Sequence, residues 1–288
     1  MTSSPEFPPQ TPAAQPPVQP GTPAAWAWAG QPQPMQTVET EPLEYHRLYR
    51  GVQGYKWWKP LLVLLLAGVF YLLMSIVLGV LFVPIMMAWD PGYATGIVDG
   101  SVDILDTQRP ISLLVNLTSI IVMIPSVILA MLVMGFRPTS RVWSVALRIR
   151  WGLLGRVTGI AVLSVIAMNL AGIAFEFLLD PALFSASPAE TSNDFDSSAA
   201  LLSLLLVLIL VPFQATAEEV VFRGLFMQVI GAWLKNPWFA ILIPSVGFAL
   251  AHIYNIWGLL AVGLMGAVAA WLTWRTGGLE AAIAIHVI

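Results

Sequence analysis

The sequence predicts an all-α fold, a polytopic transmembrane bundle of about seven or eight helices behind a disordered Pro/Gln-rich N-terminal tail. Three observations lead there. Of the 288 residues, 58% are hydrophobic and only 10% charged, and the mean hydropathy is +0.79. Soluble chains carry about 25% charge and roughly 45 to 50% apolar residues, so this chain has too few charges to cover a water-facing surface. Beyond Trp57 the apolar runs reach the roughly 20 residues that a helix needs to cross a bilayer. Those runs show no two-residue alternation, which excludes the closed barrel, the other architecture that satisfies its backbone in lipid.

Composition excludes several function classes. The net charge is −3, from 13 Lys and Arg against 16 Asp and Glu. That balance provides no basic field to gather nucleic acid. With Cys 0, disulfide frameworks, thiolate metal sites and cysteine nucleophiles are all excluded.

Residues 1–56 are expected to be a disordered cytoplasmic tail and juxtamembrane segment, and 57–288 the transmembrane bundle. Half of the 22 prolines fall between Pro5 and Pro42, in a stretch that cannot bury enough apolar surface to offset its ordering entropy. Trp26 and Trp28 read as stray aromatics of that tail, and His46 as a surface residue. No basic n-region followed by an apolar core stands near Met1, so the tail is not a secretory signal. Spans are expected near 60–88, 111–136, 152–179, 199–217, 237–253 and 257–275, with a seventh starting at Leu279. The helix opened by Glu218 and ending near Leu234 is less apolar and reads as a separate, partly inserted element. Asn169 and Glu176, in the third run, are expected at a helix end or in the bundle interior.

Loop charge orients these spans. Arg47, Arg50, Lys56 and Lys59 precede the first, and Arg137, Arg141, Arg148 and Arg150 separate the second from the third. Both segments are expected to be cytoplasmic. The loop from Asp90 to Arg109 carries Asp90, Asp99, Asp103 and Asp106 with one Arg, and Asp180 to Ser198 has no Lys or Arg, so both are expected outside. The fourth span then runs inward and brings Glu218 into the cytoplasmic half of the membrane, in agreement with Arg275 after the sixth.

The informative residues are the ionisable ones within this apolar region: Glu218, Glu219, Arg223, His252, Glu280 and His286. A charge at the bilayer centre costs roughly 2.5 to 3.5 kcal/mol on insertion scales, so each such residue defaults to a functional hypothesis. Glu219 and Arg223 stand four apart, share a helical face in the favourable acid-first order, and can neutralise each other. Glu218 is rotated about 100° away and keeps no intrahelical cation, which leaves its carboxylate free to face a polar cavity as a base. The blander reading is two acids capping a helix start at the interface. Phe248 and His252 again share a face by their spacing of four. Alone, His252 reads as a hydrogen-bonded core residue, but with Glu218 and His286 on neighbouring helices it can complete one polar cavity. Glu plus two His is also the inventory of a catalytic zinc site. No HExxH pair is present, so metal binding does not follow from the residues.

This series of motifs, Glu218-Glu219 with Arg223, Phe248 with His252, and then His286, resembles the CAAX-protease and bacteriocin-processing (CPBP, or Abi) intramembrane endopeptidases. The likeness covers residues 199–288. It implies hydrolysis of a peptide bond in a membrane-associated protein or peptide, with the lipid bilayer as the surroundings and no nucleic acid partner. On the resemblance Glu218 is the general base that activates water and His252 its partner in holding that water. Glu219, Arg223 and Phe248 support them, and His286 helps to stabilise the oxyanion. Glu218 and His252 are then expected within hydrogen-bond or one-water distance. No cofactor is required; a divalent metal such as zinc would draw on Glu218, His252 and His286. The expected location is the plasma membrane of a bacterium, multi-pass, with a cytoplasmic N-terminus. The family pattern has an Asn just after the last His, and this sequence stops two residues beyond His286. The native product is therefore expected to continue by at least about ten residues and to place an Asn within one helical turn of His286. Two other classes share the inventory: a catalytically inactive scaffold or immunity-type protein of the same fold, and a proton-coupled transporter, which would call for interrupted helices in both halves.

Overall fold

The computed structural model describes residues 42–106, 108–180 and 196–288. The expected tail, with Trp26 and Trp28, falls almost wholly outside the described residues, as does most of the loop from Asp180 to Ser198. The described part is helical throughout, with one isolated antiparallel bridge, Ser144 to Gly278, among the described residues. Its helices are α1 (Lys59–Trp89), α2 (Pro91–Asp99), α3 (Pro110–Ile121), α4 (Met123–Val133), α5 (Trp151–Leu179), α6 (Ser197–Glu219), α7 (Met227–Trp233), α8 (Pro237–Leu250), α9 (Ile256–Thr276) and α10 (Glu280–Val287).

Local chemistry explains the starts. Proline stands in the first turn of α1, α2, α3 and α8, where a missing N–H is harmless and the fixed φ suits a helix. The side chains of Asp90, Asp196, Asn236 and Asn255 cap α2, α6, α8 and α9 by accepting from backbone N–H groups, as N-cap residues do. The main packing partners are α1 with α4, α3 with α6, and α8 with α9, while α10 packs on α5, α6 and α9.

Five helical runs are long and apolar enough to cross a membrane: Lys59–Trp89, Pro110–Val133, Trp151–Leu179, Ser197–Trp233 and Ile256–Thr276. The helix expected from Leu279 is α10, Glu280–Val287. Two expectations change. The run at 237–253 is a helix of 14 residues ending at Leu250, because the chain turns there towards the Asn255 cap of α9. Glu218 does not open a separate helix: no breaker lies between Ala217 and Arg223, and α6 runs through a π-helical stretch, Val220–Phe226, into α7 as one run of 37 residues.

The juxtamembrane segment overturns one expectation. Residues 45–51 form a 3-10 helix in which Tyr45, His46, Leu48 and Tyr49 are buried, so His46 is not on the surface. The reason is a set of open carbonyls at the end of α7. Arg47 and Arg50 donate to the Gly231 and Ala232 carbonyls at 3.3 Å each. The Tyr55 hydroxyl reaches Ala232 at 3.2 Å, and His46 Nε2 stands 3.1 Å from the Lys235 carbonyl. Gly231 makes the approach possible, since a Cβ there would collide with the His46 carbonyl. Burial holds the His46 imidazole below its ordinary value of 6.5, against the pull of the Lys235 carbonyl.

Candidate active site

Glu218 occupies the last turn of α6. Gln214, one turn earlier, donates from Nε2 to Glu218 Oε1 at 2.7 Å. The other oxygen, Oε2, lies 3.3 Å from His286 Nε2, but off hydrogen-bond alignment, so Oε2 is buried with no donor upon it. The Glu218 and His286 side chains as a whole retain 12% and 13% exposure, while the Oε2 atom itself is buried.

Glu219 is deeper. It and Arg223 are both fully buried. Arg223 Nη1 donates to Glu219 Oε1 at 2.8 Å and Nη2 to the Gly266 carbonyl at 3.0 Å. A Cβ at Gly266 would lie 2.9 Å from that Nη2 and 3.1 Å from the Phe248 ring, so glycine is what lets α9 close against the guanidinium. The Phe248 ring lies below the same guanidinium, 4.4 Å from it, a cation–π contact that gains strength where water is excluded. His286 Nδ1 meets Glu219 Oε1 at 2.7 Å. A single imidazole thus lies between the two adjacent carboxylates.

Phe248 organises the histidines. Its ring meets His252 edge-on at 4.7 Å and His286 at 5.7 Å, with Phe222 from the π-helical stretch at 5.0 Å. His252 Nδ1 lies 2.8 Å from the Phe248 carbonyl. A carbonyl only accepts, so the proton belongs on Nδ1 and the lone pair on Nε2. Among the described residues His252 shares no hydrogen bond with Glu218. The structure brings Glu218 to His286 directly, and holds His252 beside them through Phe248, because its Nδ1 is tied to the carbonyl of its own helix.

The π-helical stretch directly follows the two glutamates. One such turn widens the helix and re-aims the side chains after it, a feature frequent at functional sites. Nothing in the composition of Val220–Phe226 announces it. Gln214 could have been found by the same spacing of four that pairs Glu219 with Arg223. Gly266 carried no sequence signal. Asn169 and Glu176 are both exposed on α5; Glu176 stands in its last turn, the expected helix end, whereas Asn169 lies neither at an end nor in the bundle interior.

Among the described residues no three His, Asp or Glu side chains are grouped as ligands for a metal ion. Both His286 nitrogens face carboxylate oxygens and His252 Nδ1 faces a carbonyl.

A polar cluster of Glu, Glu, Arg and two His thus stands inside apolar helices. Residues 199–288 match the family described as Type II CAAX prenyl endopeptidase Rce1-like, which places this segment in the CPBP family. Over 170 residues the chain is 28% identical to uncharacterized protein YyaK of Bacillus subtilis (strain 168), an alignment covering 57% of this chain. The chain spans about half, 54%, of the length of that curated relative. No solved structure matches.

Proposed function

We propose that the protein is an intramembrane endopeptidase that hydrolyses a peptide bond of a membrane-associated protein or peptide with water activated by Glu218. The observation that carries this reading is the state of the Glu218 carboxylate: Oε1 is fixed by Gln214 while Oε2 is buried without a donor. An oxygen oriented in this way can take a proton from water. The resulting hydroxide adds to the scissile carbonyl, and the proton then passes to the amide nitrogen as the C–N bond breaks. His286 Nε2, 3.3 Å from Oε2, is near enough to stabilise the protonated and deprotonated forms in turn. His252, with its lone pair on Nε2, accepts from the attacking water. Glu219 and Arg223 neutralise each other and hold the scaffold. A positioned base of this kind contributes about 10² to 10⁴ in rate.

An apolar cavity of about 540 Å³ runs between α5, α6 and α10, lined by Trp151, Leu154, Phe213, Thr216, Ile283 and Val287. Thr216 and Val287 bring its wall within two residues of Glu218 and one of His286, which suits an apolar substrate segment entering from the bilayer. The basic segments meet at one end of the bundle, through His46 with Lys235 and Ser144 with Gly278, which supports a cytoplasmic assignment for that end.

The test compares membrane-peptide termini in cells carrying the native chain or Glu218→Gln. Termini found only with the native chain are expected. Identical sets would turn the reading to a scaffold of the same fold.

A further inference from the structure

Helix α10 delivers His286 to within 2.7 Å of Glu219, and its direction is set by contacts at its start.

Its first residue, Glu280, is 2% exposed and is gripped from the start of α5. Arg150 donates from Nε to Oε1 at 2.9 Å and from Nη2 to Oε2 at 2.7 Å, and its backbone N–H adds a third bond to Oε1 at 2.9 Å. The remaining arm, Nη1, reaches the Thr276 carbonyl at the end of α9, 2.8 Å away. The backbone reinforces the grip: Leu279 N–H donates to the Trp143 carbonyl at 2.9 Å and Val145 N–H to the Gly277 carbonyl at 2.8 Å. Gly278 is confined by the same structure, since a Cβ there would stand 2.5 Å from Arg150 Nη2 and 2.7 Å from Ser144 Cβ.

We infer that Arg150 is a positioning residue of the hydrolytic site: acting through Glu280, it sets the direction of α10 and so seats His286 between Glu218 and Glu219. A forked guanidinium fixes a carboxylate in angle as well as distance, which a lysine ammonium cannot do. Six residues separate Glu280 from His286, about 9 Å of helix, so a tilt of about 10° at the start moves the imidazole by roughly 1.5 Å. A displacement of that order can cost about 10²-fold in rate. The catalytic consequence rests on the proposed reading of Glu218, Glu219 and His286; the seating of the imidazole does not.

The full chain has three histidines, so the whole protein in lipid nanodiscs, labelled with 15N-histidine, gives three imidazole spin systems that single His→Gln substitutions assign. Glu280→Gln and Arg150→Lys are expected to move the His286 Nδ1 signal away from its carboxylate-bonded position while His46 and His252 stay in place. The exchanged pair, Arg150→Glu with Glu280→Arg, is expected to bring it back. A His286 signal unmoved in either folded variant overturns the inference. Should Glu280→Gln abolish all three signals, Arg150→Lys decides by the same readout, and its collapse too would make the pair a folding element and sink the positioning role. A native chain that cleaves nothing while His286 responds as described would overturn the endopeptidase reading alone.

Discussion

Two neighbouring glutamates differ by which groups surround them. Glu218 has one committed oxygen and one open; Glu219 shares Oε1 between Arg223 and His286. Glu218→Gln is expected to fold as the native chain does and to lose hydrolysis by about 10² to 10⁴. Glu219→Gln strands a fully buried guanidinium, and breaking such a pair costs about 3 to 5 kcal/mol, so its first effect is a drop in folded protein. Measuring folded yield and turnover together separates the two, and an active Glu218→Gln with a folded, dead Glu219→Gln would reverse the assignment. Gln214→Leu removes the donor on Oε1; turnover per folded molecule is expected to fall with little change in yield, and unchanged turnover would strip Gln214 of its orienting role. His46 yields a prediction in pH. Its folded pKa lies below 6.5, so the unfolded chain binds a proton first as pH falls, and stability present above about pH 6.5 is lost below it. The melting temperature should therefore drop more steeply in acid for the native chain than for His46→Gln; parallel curves would contradict this.

At the scale of elements, what was legible in the sequence depended on how expensive a residue is in lipid. Glu218, Glu219, Arg223, His252 and His286 stood out because each is costly among apolar neighbours, and four of the five lie in one contact network. Where five of the long apolar runs begin was legible from run length. The π-helical stretch was not, since one extra residue per turn leaves hydropathy unchanged. Nor was the clamp on α10: Glu280 was visible, but its partner lies 130 residues away in sequence. His46 was misread as a surface residue because its segment follows a proline-rich stretch, while its neighbours Tyr45, Leu48 and Tyr49 are core residues. Gly231→Ala is the sharpest probe of that segment. The new methyl meets the His46 carbonyl, and overpacking of this kind costs about 1 to 3 kcal/mol. Thermal unfolding in detergent reads it, and an unchanged midpoint would mean the segment is only loosely held to α7.

For the whole molecule, the absence of cysteine makes topology directly testable. Single cysteines at Arg148 and at Asp103 are expected to react with a membrane-impermeant thiol reagent from opposite faces of sealed vesicles, Arg148 from the cytoplasmic one. Labelling from the same face would refute the charge-based orientation.

The bonds that finish the site also fix the order in which a ribosome can make it. Glu219 and Arg223, four residues apart, leave the exit tunnel almost together and can enter the bilayer as a neutral unit. His286, which bonds Glu219, is synthesised 67 residues later, and the His46 segment waits 189 residues for the carbonyl it covers. Until α10 arrives, Glu218 has only Gln214 for company, one helical turn away. The nascent chain is thus inserted with Glu219 and Arg223 paired and with Glu218 Oε2 not yet facing an imidazole, and the polar cluster forms only after the helices around it are already in the membrane.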